Sequence, residues 1–145
     1  MIKYISNGNI LESKCDAIVN TINCFGVMGK GLALQFRSKY PKMFQEYRSR
    51  CKRNIVKPGS MDIHNAMEKI IVNFPTKLHW KNPSKIEYID EGLLDLSKKI
   101  QELNIKSIAI PKLGCNLGGL AWENVKPRIV KMCEALEHVE FEIYE

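Results

Sequence analysis

Two glycine-rich turns, each set between a strand-like run and a helical pattern, constrain this chain more than any other feature. The first, Gly26-Val27-Met28-Gly29-Lys30-Gly31, follows Ala17-Ile18-Val19. The second, Gly114-Cys115-Asn116-Leu117-Gly118-Gly119, follows Ile108-Ala109-Ile110. Glycines at such a turn let backbone N–H groups approach an anion closely, and the helix N-terminus that follows adds favourable partial charge. One loop of this kind is a weak signal. Two on one small chain predict opposite walls of a single cleft that could hold a diphosphate, so a side chain at Gly29 or Gly119 is expected to block it.

The rest of the pattern alternates strand and helix. Ile2-Lys3-Tyr4-Ile5 opens as a strand, and Asn7-Gly8-Asn9 turns the chain. Leu32, Ala33, Leu34, Phe36 and Tyr40 stripe a helix that stops at Pro41, and Met43, Phe44 and Tyr47 mark a second ending near Lys57-Pro58-Gly59. Residues 61–63 and 70–74 read as strands joined by a turn near Asn65. Residues 88–103 carry leucines and isoleucines at helical spacing. Val125, Ile129, Met132, Cys133 and Leu136 predict a last helix whose start Pro127 obscures, and residues 139–143 alternate as an edge strand. This order predicts one α/β domain over residues 1–145, with helices on both faces of a sheet.

Composition narrows the class. At 145 residues and 45% apolar content the chain can fill one core. No run approaches a membrane span, and the start is not a signal peptide. The five cysteines (Cys15, Cys24, Cys51, Cys115, Cys133) are scattered and never form CxxC, which points to a reducing cytoplasm without disulfides or structural zinc. His64, His79 and His138 have no paired spacing, so no catalytic metal is expected. Between residues 37 and 57, eight basic side chains stand against Glu46 alone, a net of +7; the remainder nets −1, giving +6 overall. Such an excess suits a polyanion, most simply nucleic acid, or else marks the solvated face of a surface helix.

With both loops in place, the chain resembles the macrodomain family over nearly its whole length. The likeness rests on Gly8-Asn9-Ile10-Leu11, on Ala17-Ile18-Val19-Asn20-Thr21-Ile22-Asn23, and on the first loop continuing into Leu32-Ala33-Leu34-Gln35-Phe36. It extends through Asn73-Phe74-Pro75-Thr76-Lys77-Leu78-His79-Trp80 and from Ile110 to Trp122. Within the family, the Val-Met-Gly-Lys-Gly loop and the Phe-Pro-Thr-Lys-x-His-Trp segment are most similar to the DarG antitoxin branch, the DNA ADP-ribosyl glycohydrolase macrodomains. The resemblance implies a three-layer α/β/α macrodomain with a mixed central sheet. It also implies ADP-ribose as ligand or product, no cofactor, and a hydrolase removing ADP-ribose from thymidine bases of DNA. ADP-ribosylated DNA and a DarT-like toxin are the implied partners, and a monomer is expected. A non-catalytic ADP-ribose reader remains open. So does a hydrolase acting on ADP-ribosylated protein, ADP-ribose 1″-phosphate or O-acetyl-ADP-ribose.

The resemblance assigns Gly8, Asn9 and Ile10 to the adenine end. It assigns Thr21, the first loop (Val27, Met28, Gly29, Lys30, Gly31) and the second loop with its flanks (Leu113, Gly114, Cys115, Asn116, Leu117, Gly118, Gly119, Leu120) to the rest of ADP-ribose. Asn9 replaces the aspartate common in the family but still offers an acceptor oxygen. The protein-directed glycohydrolases carry an acid where Gly118 stands, so an acid–lysine dyad of that design is absent. Asn20 and Asn23 sit at and just past a strand end where α/β sheets bind ligands, or else they bond their own turn. Asn23 stands where macrodomains place a catalytic, ribose-orienting asparagine.

Lys77 follows a predicted buried strand in an otherwise apolar or aromatic segment. Partial burial lowers an ammonium's pKa, and a neutral amine is a nucleophile. It could attack C1″ of the distal ribose, capture the ring-opened aldehyde, or act as a general acid; a solvated surface lysine is the plain alternative. His79 and Trp80 could receive the substrate base by hydrogen bonding and stacking, or could pack. Cys24 and Cys115 lie near the loops without a histidine to activate them and are expected to pack.

Overall fold

A computed structural model describes residues 1–145. Its elements run β1 (Ile2–Ile5), β2 (Ala17–Asn23), α1 (Gly31–Lys39), α2 (Pro41–Lys52), β3 (Asp62–Ala66), β4 (Lys69–Lys77), α3 (Ile86–Glu102), β5 (Ser107–Ile110), α4 (Trp122–Glu134) and β6 (Glu140–Tyr144). The six strands form one sheet in the order β1-β6-β5-β2-β4-β3. Neighbours are parallel except for the β3–β4 hairpin, so the sheet is mixed.

Strand side chains point alternately to the two faces, and that period builds three layers here. Ala17 and Val19 of β2, with Val72 and Phe74 of β4, pack in a cluster with Ile89, Leu93 and Leu96 of α3 and Ile129 of α4. Ile18 and Ile22, with Ile71, pack instead with Phe36 of α1 and Met43, Phe44 and Tyr47 of α2. Gly92 lets α3 settle onto the sheet, because a Cβ there would lie 2.2 Å from Phe74 Cζ.

The α1/α2 face carries a row of buried polar residues across three strands. Asn20 pairs in register with Asn73, and Asn73 with Asp62. Asn20 Nδ2 donates to Asn73 Oδ1 at 3.1 Å, and Asn73 Nδ2 donates to Asp62 Oδ2 at 3.0 Å. Arg50 of α2 closes the row with Nε and Nη2 on the two Asp62 oxygens, at 2.5 and 3.1 Å. A buried carboxylate needs such a partner, and it fixes α2 against the sheet.

Several boundaries differ from the sequence reading. The hairpin turns at Met67, which adopts φ 50°, and not near Asn65, so β3 and β4 are both longer than expected. The second helix ends at Lys52, and the last helix ends at Glu134 with Pro127 inside it. Residues 140–144 are not an edge strand, because β6 lies between β1 and β5. Their alternation has another cause: Phe141 and Ile143 join the α3/α4 cluster, while Glu142 on the other face accepts from Ser13 Oγ and Tyr144 Oη.

Candidate active site

The C-terminal ends of the parallel strands β2, β4 and β5 point to one side of the sheet, and a cavity of about 600 Å³ opens there. This is the side on which parallel α/β sheets bind ligands, and the volume suits a small molecule. Both glycine loops line it: Val27, Gly29, Lys30 and Gly31 on one wall, Gly114, Cys115, Asn116, Leu117 and Gly118 on the other. The walls meet at one point, where a Cβ on Gly31 would lie 3.4 Å from Leu117 Cδ1.

The first loop is built by Asn23. Its Oδ1 accepts from the backbone N–H of Phe25, Gly26 and Val27, at 3.0, 3.1 and 3.3 Å. Its Nδ2 donates to Val27 O at 2.7 Å. Tyr47 of α2, wholly buried, donates from its hydroxyl to Asn23 O and Oδ1 at 2.7 and 2.9 Å. Asn23 lines the cavity, but its oxygen is committed to the loop, which leaves one amide N–H for a ligand. Past the loop, α1 begins at Gly31 with no side chain capping it. Its first-turn N–H groups have no partner within the helix, and Gly31, Leu32 and Ala33 all face the cavity. An anion there would meet free donors and the positive end of the helix dipole. Tyr47→Phe is therefore expected to cost about 1–2 kcal/mol of stability and to loosen the loop. Urea unfolding beside ADP-ribose calorimetry checks both effects.

The second loop is held from behind. Ser84 N donates to Gly118 O at 2.9 Å, Leu120 N to Gly114 O at 3.0 Å, and Gly119 N to Cys115 O at 2.7 Å. Gly114 and Gly119 adopt φ 71° and 83°, which only glycine takes easily. Gly118 is glycine for a different reason, since a Cβ there would lie 2.2 Å from Ser84 Oγ and 2.4 Å from Gly114 O.

Lys77 ends β4 opposite Asn23 of β2, where the register shifts by a bulge. Its Nζ donates to Trp80 O at 3.2 Å. Partial burial lowers its pKa below the ordinary 10.5. Lys30, Lys81 and Lys112 also line the cavity, and no carboxylate does. The site is a cationic cleft with a partly desolvated amine on its wall. Burial pushes the Cys24 thiol up to about 12 and also raises Cys115, so neither is a ready thiolate. No group of three or more His, Cys, Asp or Glu side chains is arranged to hold a metal ion.

Other expected site residues lie elsewhere. Asn20 is fully buried beneath the cleft floor, in the polar row described above. Strand alternation puts it on the α1/α2 face, so it belongs to the core and not to the site. Met28 is likewise wholly buried. Gly8, Asn9 and Ile10 do not line the cavity. Asn9 Oδ1 accepts from Leu11 N and caps the short 3-10 turn Ile10–Glu12, and Ile10 is buried. Leu113, Gly119 and Leu120 flank the second wall without lining the cavity, whereas Thr21 faces into it. Trp80 lines the cavity, and His79 stacks on it from outside at 5.4 Å between ring centroids.

A family model described as Macro domain matches residues 19–129. The chain belongs to the macro domain family. A DNA ADP-ribosyl glycohydrolase of Mycobacterium tuberculosis is 49% identical over 148 residues, covering 99% of this chain and 42% of that protein. The solved macrodomain of Mycobacterium tuberculosis DarG matches with a TM-score of 0.97 at 49% identity, covering 99% of this chain and 97% of that one. Thermosipho africanus DarTG, solved in complex with ADP-ribose, matches with a TM-score of 0.91 at 30% identity, over 99% of this chain and 41% of that one. The chain thus spans about two-fifths of the length of the DNA ADP-ribosyl glycohydrolases it matches. The three-layer fold with a mixed sheet is that of the solved macrodomains.

Within this macro domain, four structural supports escaped the sequence reading. Tyr47 and Ser84 back the two loops, and Lys81 and Lys112 add charge to the cleft. Tyr47 and Ser84 lie far along the chain from the loops that they hold, whereas Lys81 and Lys112 directly follow or precede residues of the site, where nothing in their spacing sets them apart from other surface lysines.

Proposed function

We propose that this macro domain removes ADP-ribose from modified thymidine bases of DNA, with Lys77 as the nucleophile. The observation that carries the reading is a partly desolvated lysine on the wall of a cleft without a carboxylate. The two loops take the diphosphate, and Asn23 holds the first loop in shape beside the distal ribose. The neutral Lys77 amine attacks C1″, the C1″–N bond to the base breaks, and the base leaves with that electron pair and takes up a proton. Water then displaces the lysine from C1″, releasing ADP-ribose and restoring the amine. The names of the relatives support DNA as the carrier of the modification.

The test is turnover of an oligonucleotide ADP-ribosylated on thymidine beside an ADP-ribosylated protein. Release of ADP-ribose from the oligonucleotide alone is the expected result. Preference for the protein substrate, or binding without release, would overturn the reading.

The basic segment supports DNA as substrate only in part. Arg50 is spent on Asp62, Arg37 lies 4.2 Å over the Phe44 ring, and Lys39 Nζ donates to Leu11 O. Lys42, Arg48, Lys52, Arg53 and Lys57 remain exposed. Turnover of modified DNA should therefore fall with salt more steeply than ADP-ribose binding does. Each phosphate contact adds about 0.7 to the log–log slope for a single strand. Parallel slopes would make this segment a solvated face.

A partner follows from the same relatives. One match is a DNA ADP-ribosyl transferase–DNA ADP-ribosyl glycohydrolase fusion protein of Thermosipho africanus. The domain is accordingly read as the reversing half of a pair with a DarT-like transferase, acting as a monomer in the cytoplasm. No helix is long and apolar enough to cross a membrane.

A further inference from the structure

The cleft accounts for ADP-ribose and the modified base, but not for a row of aromatic rings that leads away from it. Trp80 stands on the cleft wall and is 43% exposed. His79 stacks on Trp80 at 5.4 Å and 28°, and the Phe25 ring lies 4.3 Å from His79, tilted by 52°. Phe25 is 57% exposed, an unusual position for a phenylalanine in a loop whose next residue is buried. Nothing in the loop requires an aromatic ring there, since Asn23 holds the segment through the Phe25 backbone N–H. The residue after Phe25 packs on α2. Gly26, at φ 101°, brings the loop so close that a Cβ there would lie 3.6 Å from Arg48 Cγ. Arg48 is exposed and belongs to the free part of the basic segment. Lys81 Nζ sits 5.1 Å from the Trp80 ring centroid at the cleft end.

Rings that expose a face next to cations match one chemistry: a nucleobase stacks on the ring while its phosphate meets the cation. We propose that Phe25 is the stacking platform of a second subsite, which binds the unmodified nucleotide neighbouring the modified thymidine, with Arg48 as its phosphate contact. The inference rests on the DNA reading above and extends it from one base to a stretch of polynucleotide. A neighbouring base can reach Phe25 only when it is unstacked from its own neighbours. Lys81 at the Trp80 ring and Arg48 beside Gly26 put positive charge at both ends of the row, which favours a nucleic acid over an apolar peptide.

Two kinds of measurement test it. In the first, wild type is compared with Phe25→Ala, Phe25→Trp and Arg48→Gln on ADP-ribosylated thymidine as a free nucleoside and within a short oligonucleotide. Wild type should show a KM at least about tenfold lower for the oligonucleotide. Phe25→Ala should remove most of that gain and leave the nucleoside unchanged, Phe25→Trp should restore it, and Arg48→Gln should flatten the salt dependence. Equal KM values for the two substrates in wild type, or a gain that survives Phe25→Ala, would overturn the subsite while leaving the DNA reading intact. The second measurement needs no turnover. An unmodified oligonucleotide is titrated onto the ADP-ribose-loaded protein, following anisotropy of the labelled strand. Weaker binding in Phe25→Ala, restored in Phe25→Trp, supports the subsite even if hydrolysis of DNA fails. Binding indifferent to residue 25, or a dependence on residue 25 that appears with ADP-ribosylated protein instead, overturns it.

Discussion

Lys77→Ala is expected to lose turnover by on the order of a thousandfold or more, about 4 kcal/mol of transition-state stabilisation. ADP-ribose affinity should stay within about tenfold, or roughly 1.4 kcal/mol. The separation follows from where the contacts lie. Lys77 ends β4, while the loop glycines and the uncapped start of α1 form the walls proposed to take the diphosphate. An amine that bonds to C1″ acts mainly in the transition state, so its loss falls on kcat. Lys77→Arg should fail as well, because a guanidinium stays charged and is no nucleophile.

The pH profile supplies an independent check on the same residue. Burial disfavours the charged ammonium and lowers the Lys77 pKa below 10.5. Only the neutral form attacks, so kcat/KM should rise with pH, about tenfold per unit below the amine's pKa, and level off above it. The plateau should begin at a lower pH than an ordinary lysine allows. A rate that falls across that range would make Lys77 an acid or a charge clamp. An arginine variant with near-normal turnover would point to the clamp.

What the sequence revealed followed from short-range pattern, and what it hid required the sheet. Glycines between an apolar run and a helical stripe are visible in one dimension, so both loops and their meeting in one cleft could be anticipated. Lys77 could be singled out because it follows a strand-like run in an apolar and aromatic segment and because the macrodomain resemblance includes that segment. The strand itself carries the answer for Asn20: it shares a face with Ile18 and Ile22, which pack on α1 and α2. Asn23 escapes that parity because a bulge separates it from Ile22. The hairpin turn was misplaced because Met67 takes a left-handed conformation that methionine does not advertise, while Asn65 offers the customary turn signal inside β3. Position within the sheet depends on pairing with β1, more than a hundred residues away, so β6 could not be told from an edge strand. Phe25, a lone loop aromatic, belongs to no period at all.

Glycine positions in the cleft separate two kinds of loss. Gly118→Val should lower ADP-ribose affinity on the order of a hundredfold, about 2.7 kcal/mol. A Cβ there would lie 2.4 Å from the backbone oxygen of Gly114 and 2.2 Å from Ser84 Oγ. Ser84 Oγ has no hydrogen-bond partner and can rotate, but Gly114 O is backbone, held by the Leu120 N–H at 3.0 Å. The second wall must therefore move, and every amide it presents to the ligand moves with it. The same crowding should cost about 1–3 kcal/mol of stability, so affinity is measured below the variant's melting range. Gly29→Ala supplies the contrast. Its Cβ would meet only Val27 Cγ1, at an ordinary 3.5 Å, so the free protein should melt as wild type does. If a phosphate packs against the first loop at this point, the added methyl occupies ligand space and affinity falls all the same. Gly119 behaves differently again: a Cβ there meets no atom within 4 Å, and Gly119 does not line the cavity. The cost at Gly119 is the φ of 83°, a backbone strain of about 1 kcal/mol. Calorimetry and melting curves on the three variants should thus show affinity and stability falling together at 118, affinity alone at 29, and mainly stability at 119. Unchanged affinity in both Gly118→Val and Gly29→Ala would remove the paired loops as the diphosphate site.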